Sequence, residues 1–347
     1  MLYPILLFLL SLNWLINPYQ PVSEQVGKGF QPSVTTTPDG VAHIVYGQNN
    51  VIFYTTSRDG ETFSEPMRID SLPGLHLGAS RGPQIAATNS SVVITAVDKP
   101  GNVWAYTLNR NTNRWQPRVR INDIPEVAKE GFVALTTTDG NTYMAAWLDL
   151  RSNNRNKLVG ARSTDDGKTW TANQVLYQSP DGTVCECCQM SIVSQGSQVA
   201  IMFRNFLNGS RDMYVLTSTD NGHTFGKPKK LGKGTWKLNA CPMDGGGLAM
   251  NPTGAISTVW RRHDTLFTAK QDQAEVRLAT GKNPKIVSTA IGDYIVFQQA
   301  NQIMALLPSQ SQLMALGAGA YPKLIALPKG VLCLWEQNGD VQAQLIR

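Results

Sequence analysis

Ser163-Thr164-Asp165-Asp166-Gly167-Lys168-Thr169-Trp170 recurs as Ser218-Thr219-Asp220-Asn221-Gly222-His223-Thr224-Phe225, and in weakened form as Thr56-Ser57-Arg58-Asp59-Gly60-Glu61-Thr62-Phe63. The shared pattern, S-x-D-x-G-x-T-(W/F), has the chemistry of a hairpin turn. An Asp side chain accepts hydrogen bonds from the amides of its own turn, Gly takes up positive φ, and Thr suits the returning strand. The closing aromatic adds a large apolar anchor.

Around these turns the chain repeats one unit: short strand, tight turn, apolar strand, loop, strand, turn, strand. The first turn of each unit is marked by Asp39-Gly40, Asn89-Ser90, Asp139-Gly140, Gln195-Gly196, Thr253-Gly254, Gly292-Asp293 and Lys329-Gly330. A β-rich run follows each mark, at 41–46, 92–97, 142–148, 198–203, 255–260, 294–297 and 331–335. No stretch has helical periodicity. Seven such units predict an all-β fold, a single β-propeller of seven four-stranded antiparallel blades over residues 20–347. The last two units are short, and their merger would leave six. The final unit stops about one strand short, and residues 21–26 are placed to supply its outermost strand and close the ring.

The eight-residue turns resemble the Asp box, or BNR repeat, of bacterial proteins of the sialidase superfamily, a resemblance that spans about residues 30–231. It implies a β-propeller in which the boxes are structural staples on the third-to-fourth-strand turns. Function is then expected elsewhere.

Length and composition agree. The chain has 347 residues, of which only 16% are charged, against about 25% in typical soluble domains. Its net charge of +6 comes from 31 basic and 25 acidic residues. The densest basic stretch, 227–233, reads as a solvated outer strand, and no helix carries basic residues interleaved with aromatics. Nucleic acid is therefore not an expected partner. An apolar run at 2–16, broken by Pro4, Ser11 and Asn13, fits the core of a signal peptide or an N-terminal anchor over residues 1–19. Export to the periplasm or the outside follows as an expectation, with any membrane contact confined to that segment. No Lys or Arg precedes the run, and no small-residue cleavage triplet follows it. A monomer is expected.

In a four-stranded blade, the second-to-third-strand loops and the blade-to-blade crossings share the face opposite the Asp boxes. The loops carry Asp149 and Arg151, Arg204 through Arg211-Asp212, and Arg261-Arg262-His263-Asp264. The crossings carry His76 through Arg81-Gly82-Pro83, Cys185-Glu186-Cys187-Cys188, and Trp236 through Cys241-Pro242-Met243-Asp244. Loops at one end of a rigid scaffold are the usual seat of function. Any one Arg on such a loop is ordinarily solvated or paired with a neighbouring Asp. Five on one rim (Arg81, Arg151, Arg204, Arg211 and Arg261) suit a carboxylate-bearing ligand, because guanidinium pairs bidentately with carboxylate. An acidic glycan is the expected ligand class, with Asp212, Trp236 and Asp244 beside the arginines. Trp236 is a candidate platform for a sugar ring, whereas Trp260 suits the core.

The chain has five cysteines. Cys333 lies in an apolar strand and reads as a buried free thiol. Cys185, Cys187, Cys188 and Cys241 lie in the crossings into adjacent units. In an exported protein, disulfides are the default, here Cys241 with Cys187 or Cys188. The alternative is a soft-metal site for copper or zinc, with Met190, Met243 or a His contributing. Otherwise no cofactor or metal is expected.

The family resemblance implies more: an arginine triad that clamps the sialate carboxylate, an Asp acid/base, and a Tyr–Glu nucleophile pair. Arg81-Gly82-Pro83 matches the family's Arg-x-Pro, but in the second unit, where the first has Phe30-Gln31-Pro32. Arg204 and Arg261 would complete the triad, Tyr321 and Glu186 the nucleophile pair, and Asp149 the acid. Sialidases have six blades, so a seventh departs from the family. Three readings follow: a sialidase-like hydrolase, a non-catalytic glycan- or protein-binding propeller, and a metal-binding or redox propeller centred on the cysteines.

Overall fold

Seven antiparallel sheets form in chain order, as the repeat predicts. The computed structural model describes residues 23–138 and 142–347. The leader expected at 1–19, Pro21, Val22 and the Asp139-Gly140 mark lie outside them. The innermost strands of blades one to seven are Phe30–Thr36, Gln84–Ala87, Val133–Thr137, Ser191–Gln195, Gly247–Met250, Lys282–Thr289 and Ala320–Leu327. Each touches the next, and the last touches the first. Blade two differs only at its outer edge, which is split into Arg114–Trp115 and Val119–Arg120. The short sixth and seventh units stay separate, so the count is seven and not six.

The ring closes through the N-terminal segment. Glu24–Lys28 pairs antiparallel with Asp340–Ile346 as the outermost strand of blade seven. The pairing runs to Lys28 and so extends past the expected 21–26. Val26 is buried there among Ile44, Tyr46, Leu332 and Val341, which ties blade seven to blade one. The mark expected at Gly292-Asp293 also shifts, because both residues already belong to the strand Gly292–Gln299.

The three Asp boxes fall on third-to-fourth-strand turns with one hydrogen-bond scheme. In blade three the Ser163 hydroxyl donates to Asp165 Oδ1 (2.8 Å), and the Gly167 amide donates to Ser163 Oγ (2.8 Å). The amide and hydroxyl of Thr169 donate to the two Asp165 oxygens at 2.9 and 2.7 Å. Ser218, Asp220, Gly222 and Thr224 repeat the scheme in blade four. Blade one keeps it with one residue fewer, through Ser57, Asp59, Gly60 and Thr62.

Each box also stitches its blade to the one before. A Cβ on Gly167 would meet Val93 Cγ2 at 2.6 Å and Thr107 Oγ1 at 2.9 Å, both in blade two. Gly222 faces Met144 of blade three, and Gly60 faces Leu327 and Leu345 of blade seven. Trp170, Phe225 and Phe63 pack into the matching inter-blade cores. Gly167 has φ +80°, so Gly167→Ala combines left-handed strain with overpacking. We expect it to lower stability by about 2–4 kcal/mol, read as a reduced urea midpoint at unchanged m-value.

Candidate functional site

On the face opposite the boxes, crossings and loops interlock through backbone bonds. Val184 pairs with Asn205, and Ser210 with Lys237. The Cys185 amide donates to the Arg204 carbonyl (3.1 Å), and the Arg211 amide to the Trp236 carbonyl (2.9 Å). The structure gathers the residues singled out above on this face, but most of their charges are spent on the protein itself.

Arg204 is 2% exposed. Its Nε and Nη2 donate to the Asp244 carbonyl at 3.1 and 2.9 Å, Nη1 to the Arg211 carbonyl at 2.8 Å, and Nη2 to the Arg261 carbonyl at 3.1 Å. Its guanidinium lies 5.2 Å from the Trp236 ring, and that of Arg261 lies 5.4 Å from it. Trp236 is 5% exposed, with both guanidiniums against its ring, and offers no open face to a sugar. Arg261 donates to the His263 carbonyl (2.7 Å) and stands 3.7 Å from Asp244. Arg151 grips both oxygens of the fully buried Asp149, Oδ1 through its amide and Nε and Oδ2 through Nη2 (2.8–2.9 Å), and Trp147 Nε1 also donates to Oδ2 (2.9 Å). Asp149 is therefore enclosed. Arg211 and Asp212 do not pair with each other: Arg211 holds Glu186 by two bonds of 3.2 Å, and Asp212 accepts from Lys230 (2.9 Å) and the Trp236 amide (2.7 Å). Arg81 donates to the Glu130 carbonyl (2.6 Å) and lies over Phe132.

Tyr321 has φ +54°. Its phenol is pushed up by burial, further raised by the charge of Glu336 and lowered by that of Arg81. Glu336 is thus the carboxylate whose charge bears on Tyr321, while Glu186 is held by Arg211. Burial also raises Glu336, against hydrogen bonds from the Gln31 amide and Nε2 at 3.0 and 3.1 Å. Glu130 is raised by burial as well, opposed by its Asn156 hydrogen bond and by Arg81.

The cysteines differ from expectation in their bonding. All five are free thiols. Cys241 is exposed and lies outside the group formed by Cys185, Cys187 and Cys188, so the expected bridge from Cys241 to Cys187 or Cys188 does not form. The three buried sulfurs are 3.6, 3.6 and 3.9 Å apart, and Arg211 Nη1 lies 3.0 Å from Cys185 Sγ. Contacts with its two sulfur neighbours, and then the charge of Arg211, hold the Cys185 thiol far below its ordinary range. Those contacts push Cys187 up, and burial does the same for Cys188. Cys333 is a buried free thiol, as expected.

Two cations escaped the sequence reading. An axial cavity of about 170 Å³ lies within the ring, lined in one tier by Ser33, Gln84, Ser191, Gly247, Lys285 and Lys323. These residues stand near the starts of innermost strands, toward the arginine face. Lys285 Nζ donates to the Gly246 carbonyl at 2.7 Å. Among the described residues no carboxylate forms an ion pair with Lys285 or Lys323. Burial pushes Lys285 down to about 8, opposed by Asp244, and pushes Lys323 down to about 7, aided by Lys285. A signal for this tier existed. Pro32-Ser33, Pro83-Gln84, Pro284-Lys285 and Pro322-Lys323 all place the residue after a crossing proline on the axis.

No family model matches the chain, and no curated protein matches it in sequence. Solved structures do share its fold. The polysaccharide lyase Uly1 aligns with a TM-score of 0.57 at 6% identity, over 97% of this chain and 94% of that one. AofleA from Arthrobotrys oligospora aligns at 0.56 and 10% identity, over 85% and 88%. The SapL1 lectin, solved with alpha methyl fucoside, aligns at 0.52 and 10% identity, over 85% and 98%. The chain is a seven-bladed β-propeller, and these three structures are similar to it in fold at 6–10% identity.

Proposed function

We propose that this propeller is an acidic-sugar-binding protein that takes the carboxylate of its ligand at the axial mouth, beneath the arginine face. The observation that carries the reading is the pair Lys285 and Lys323, two half-buried cations in one cavity with no carboxylate paired to either among the described residues. Ser33 and Gln84 add hydroxyl and amide groups in the same tier, and the charge of Arg81 bears on Tyr321, two residues before Lys323. An anion restores the charged form of both lysines, which burial otherwise disfavours. Uly1 and SapL1 are named for sugar chemistry and sugar binding; their fold is compatible with the reading but does not carry it.

Binding without turnover fits the geometry better than sialidase-type hydrolysis. Asp149 is sealed by Arg151 and Trp147, and Glu186 is engaged by Arg211. Of the five rim arginines, Arg81 remains the one assigned to the ligand. We assign Arg151, Arg204, Arg211 and Arg261 to holding loops and crossings together, with Asp212, Trp236 and Asp244.

The reading makes binding depend on pH with a definite sign. Both lysines deprotonate in the free protein near 7 and 8, and an anion raises those values in the complex. Protons are then taken up on binding, so affinity falls as pH rises above about 7. Calorimetry with a sialoside should show at least a tenfold loss between pH 6.5 and 9, and Lys323→Met should weaken binding and flatten that slope. A pH-independent affinity, or full affinity in Lys323→Met, would sink the assignment. A fluorogenic sialoside should not be turned over. Arg204→Ala strands three carbonyls and should cost about 3–5 kcal/mol of stability, which chemical denaturation measures. Normal stability with lost binding would return Arg204 to the ligand.

A further inference from the structure

Away from the axis, the crossing from blade three to blade four carries chemistry that sugar binding does not use. Cys185, Cys187 and Cys188 are each less than a tenth exposed and form a cluster composed only of themselves. Their backbone is anchored: the Val184 amide donates to the Asn156 carbonyl (2.8 Å), and the Cys185 amide to the Arg204 carbonyl. The thiols therefore meet at a fixed point instead of facing solvent on a loose loop.

We propose that these three thiols form a binding site for a single copper(I) ion. Sulfur separations of 3.6, 3.6 and 3.9 Å far exceed the ~2.05 Å of a disulfide. A circle through such a triangle has a radius of about 2.1 Å, close to the ~2.3 Å bond between a thiolate and a d¹⁰ metal ion. An ion in or just above the sulfur plane thus reaches all three donors with little movement of the chain.

The donor set selects the metal. Thiolates are soft ligands that favour copper(I), zinc and iron–sulfur clusters. Zinc in closed structural sites takes four protein donors in a tetrahedron. Among the described residues no fourth Cys, His, Asp or Glu joins this group, and Cys241, the nearest candidate by sequence reasoning, is exposed outside it. Three buried sulfurs with no fourth Cys, His, Asp or Glu among the described residues suit an ion that accepts trigonal coordination. Charge agrees in direction. Three thiolates around one monovalent ion leave an excess negative charge, and Arg211 Nη1 lies 3.0 Å from Cys185 Sγ to offset part of it. Arg211 is held in turn by Glu186, which fixes the guanidinium beside the sulfur.

The site is tested on the full chain, kept reduced and anaerobic, by titration with copper(I) buffered by bathocuproine disulfonate. One equivalent should bind, with an X-ray absorption spectrum showing three sulfur scatterers at about 2.2–2.3 Å. Cys187→Ser and Cys188→Ser should each weaken binding by about 100-fold, while Cys241→Ser and Cys333→Ser leave it unchanged. If the cluster variants do not fold, the wild-type absorption spectrum still decides. Failure to compete with the chelator, a shell of nitrogen or oxygen, or full affinity in Cys187→Ser would overturn the site. So would a disulfide among the three cysteines in protein isolated without reductant. Preferential binding of zinc over copper(I) would overturn the choice of metal. None of these outcomes touches the axial lysines, so the site stands or falls apart from sugar binding.

Discussion

A ring of sheets has no free end only where the two ends of its chain meet, and here they meet in the ladder between Glu24–Lys28 and Asp340–Ile346. Without that strand, blade seven would have three strands instead of four, and Val26 would be absent from the core shared by blades seven and one. Every inner strand depends on this closure, because each is wedged between two neighbours around the axis. The cavity that gathers Ser33, Gln84, Lys285 and Lys323 from four different blades exists only in the closed ring.

Closure also explains why one face is rich in arginine. Loops and crossings on that face run past one another, and their carbonyls turn inward without sheet partners. A buried carbonyl needs a donor, and a guanidinium supplies five from one side chain. Arg204 bonds three carbonyls from three segments, and Arg81 and Arg261 each bond another. On the opposite face the Asp boxes do comparable work with a carboxylate, which gathers the amides of its own turn. The two faces solve the same backbone problem with opposite charges.

That division marks how far a sequence reading reaches. The boxes were legible because their bonds are local: Asp165 and Thr169 are four residues apart, and the spacing of donors is written in the chain. The unit repeat carried the blade count for a similar reason, and the closing strand was placed to within a few residues. The arginines were legible as a cluster but not as a clamp. Whether Arg204 faces a ligand or three carbonyls depends on segments 7 to 57 residues away. The cysteines show the same limit. Proximity of Cys185, Cys187 and Cys188 followed from spacing, but the exclusion of Cys241 depended on the path of the next crossing. The lysines were missed because each stands directly before an apolar pair in its strand, Ile286-Val287 or Leu324-Ile325, where a lone Lys reads as a solvent-facing residue.

The crossings themselves are of two kinds. Those into blades six, seven and one are short turns: Gly281-Lys282-Asn283-Pro284, Gly319-Ala320-Tyr321-Pro322 and Gly29-Phe30-Gln31-Pro32. In each, the residue before proline has a φ of +53° or +54°, and the strand slips by a bulge. The four crossings into blades two to five are long and carry His76, Glu130, the three clustered cysteines and Trp236. The rim is therefore stepped, a high wall over one arc and a low sill over the other. Whatever reaches the axis from above meets chemistry on one side and open ground on the other, so the propeller's ring of seven similar blades presents a mouth with a front and a back.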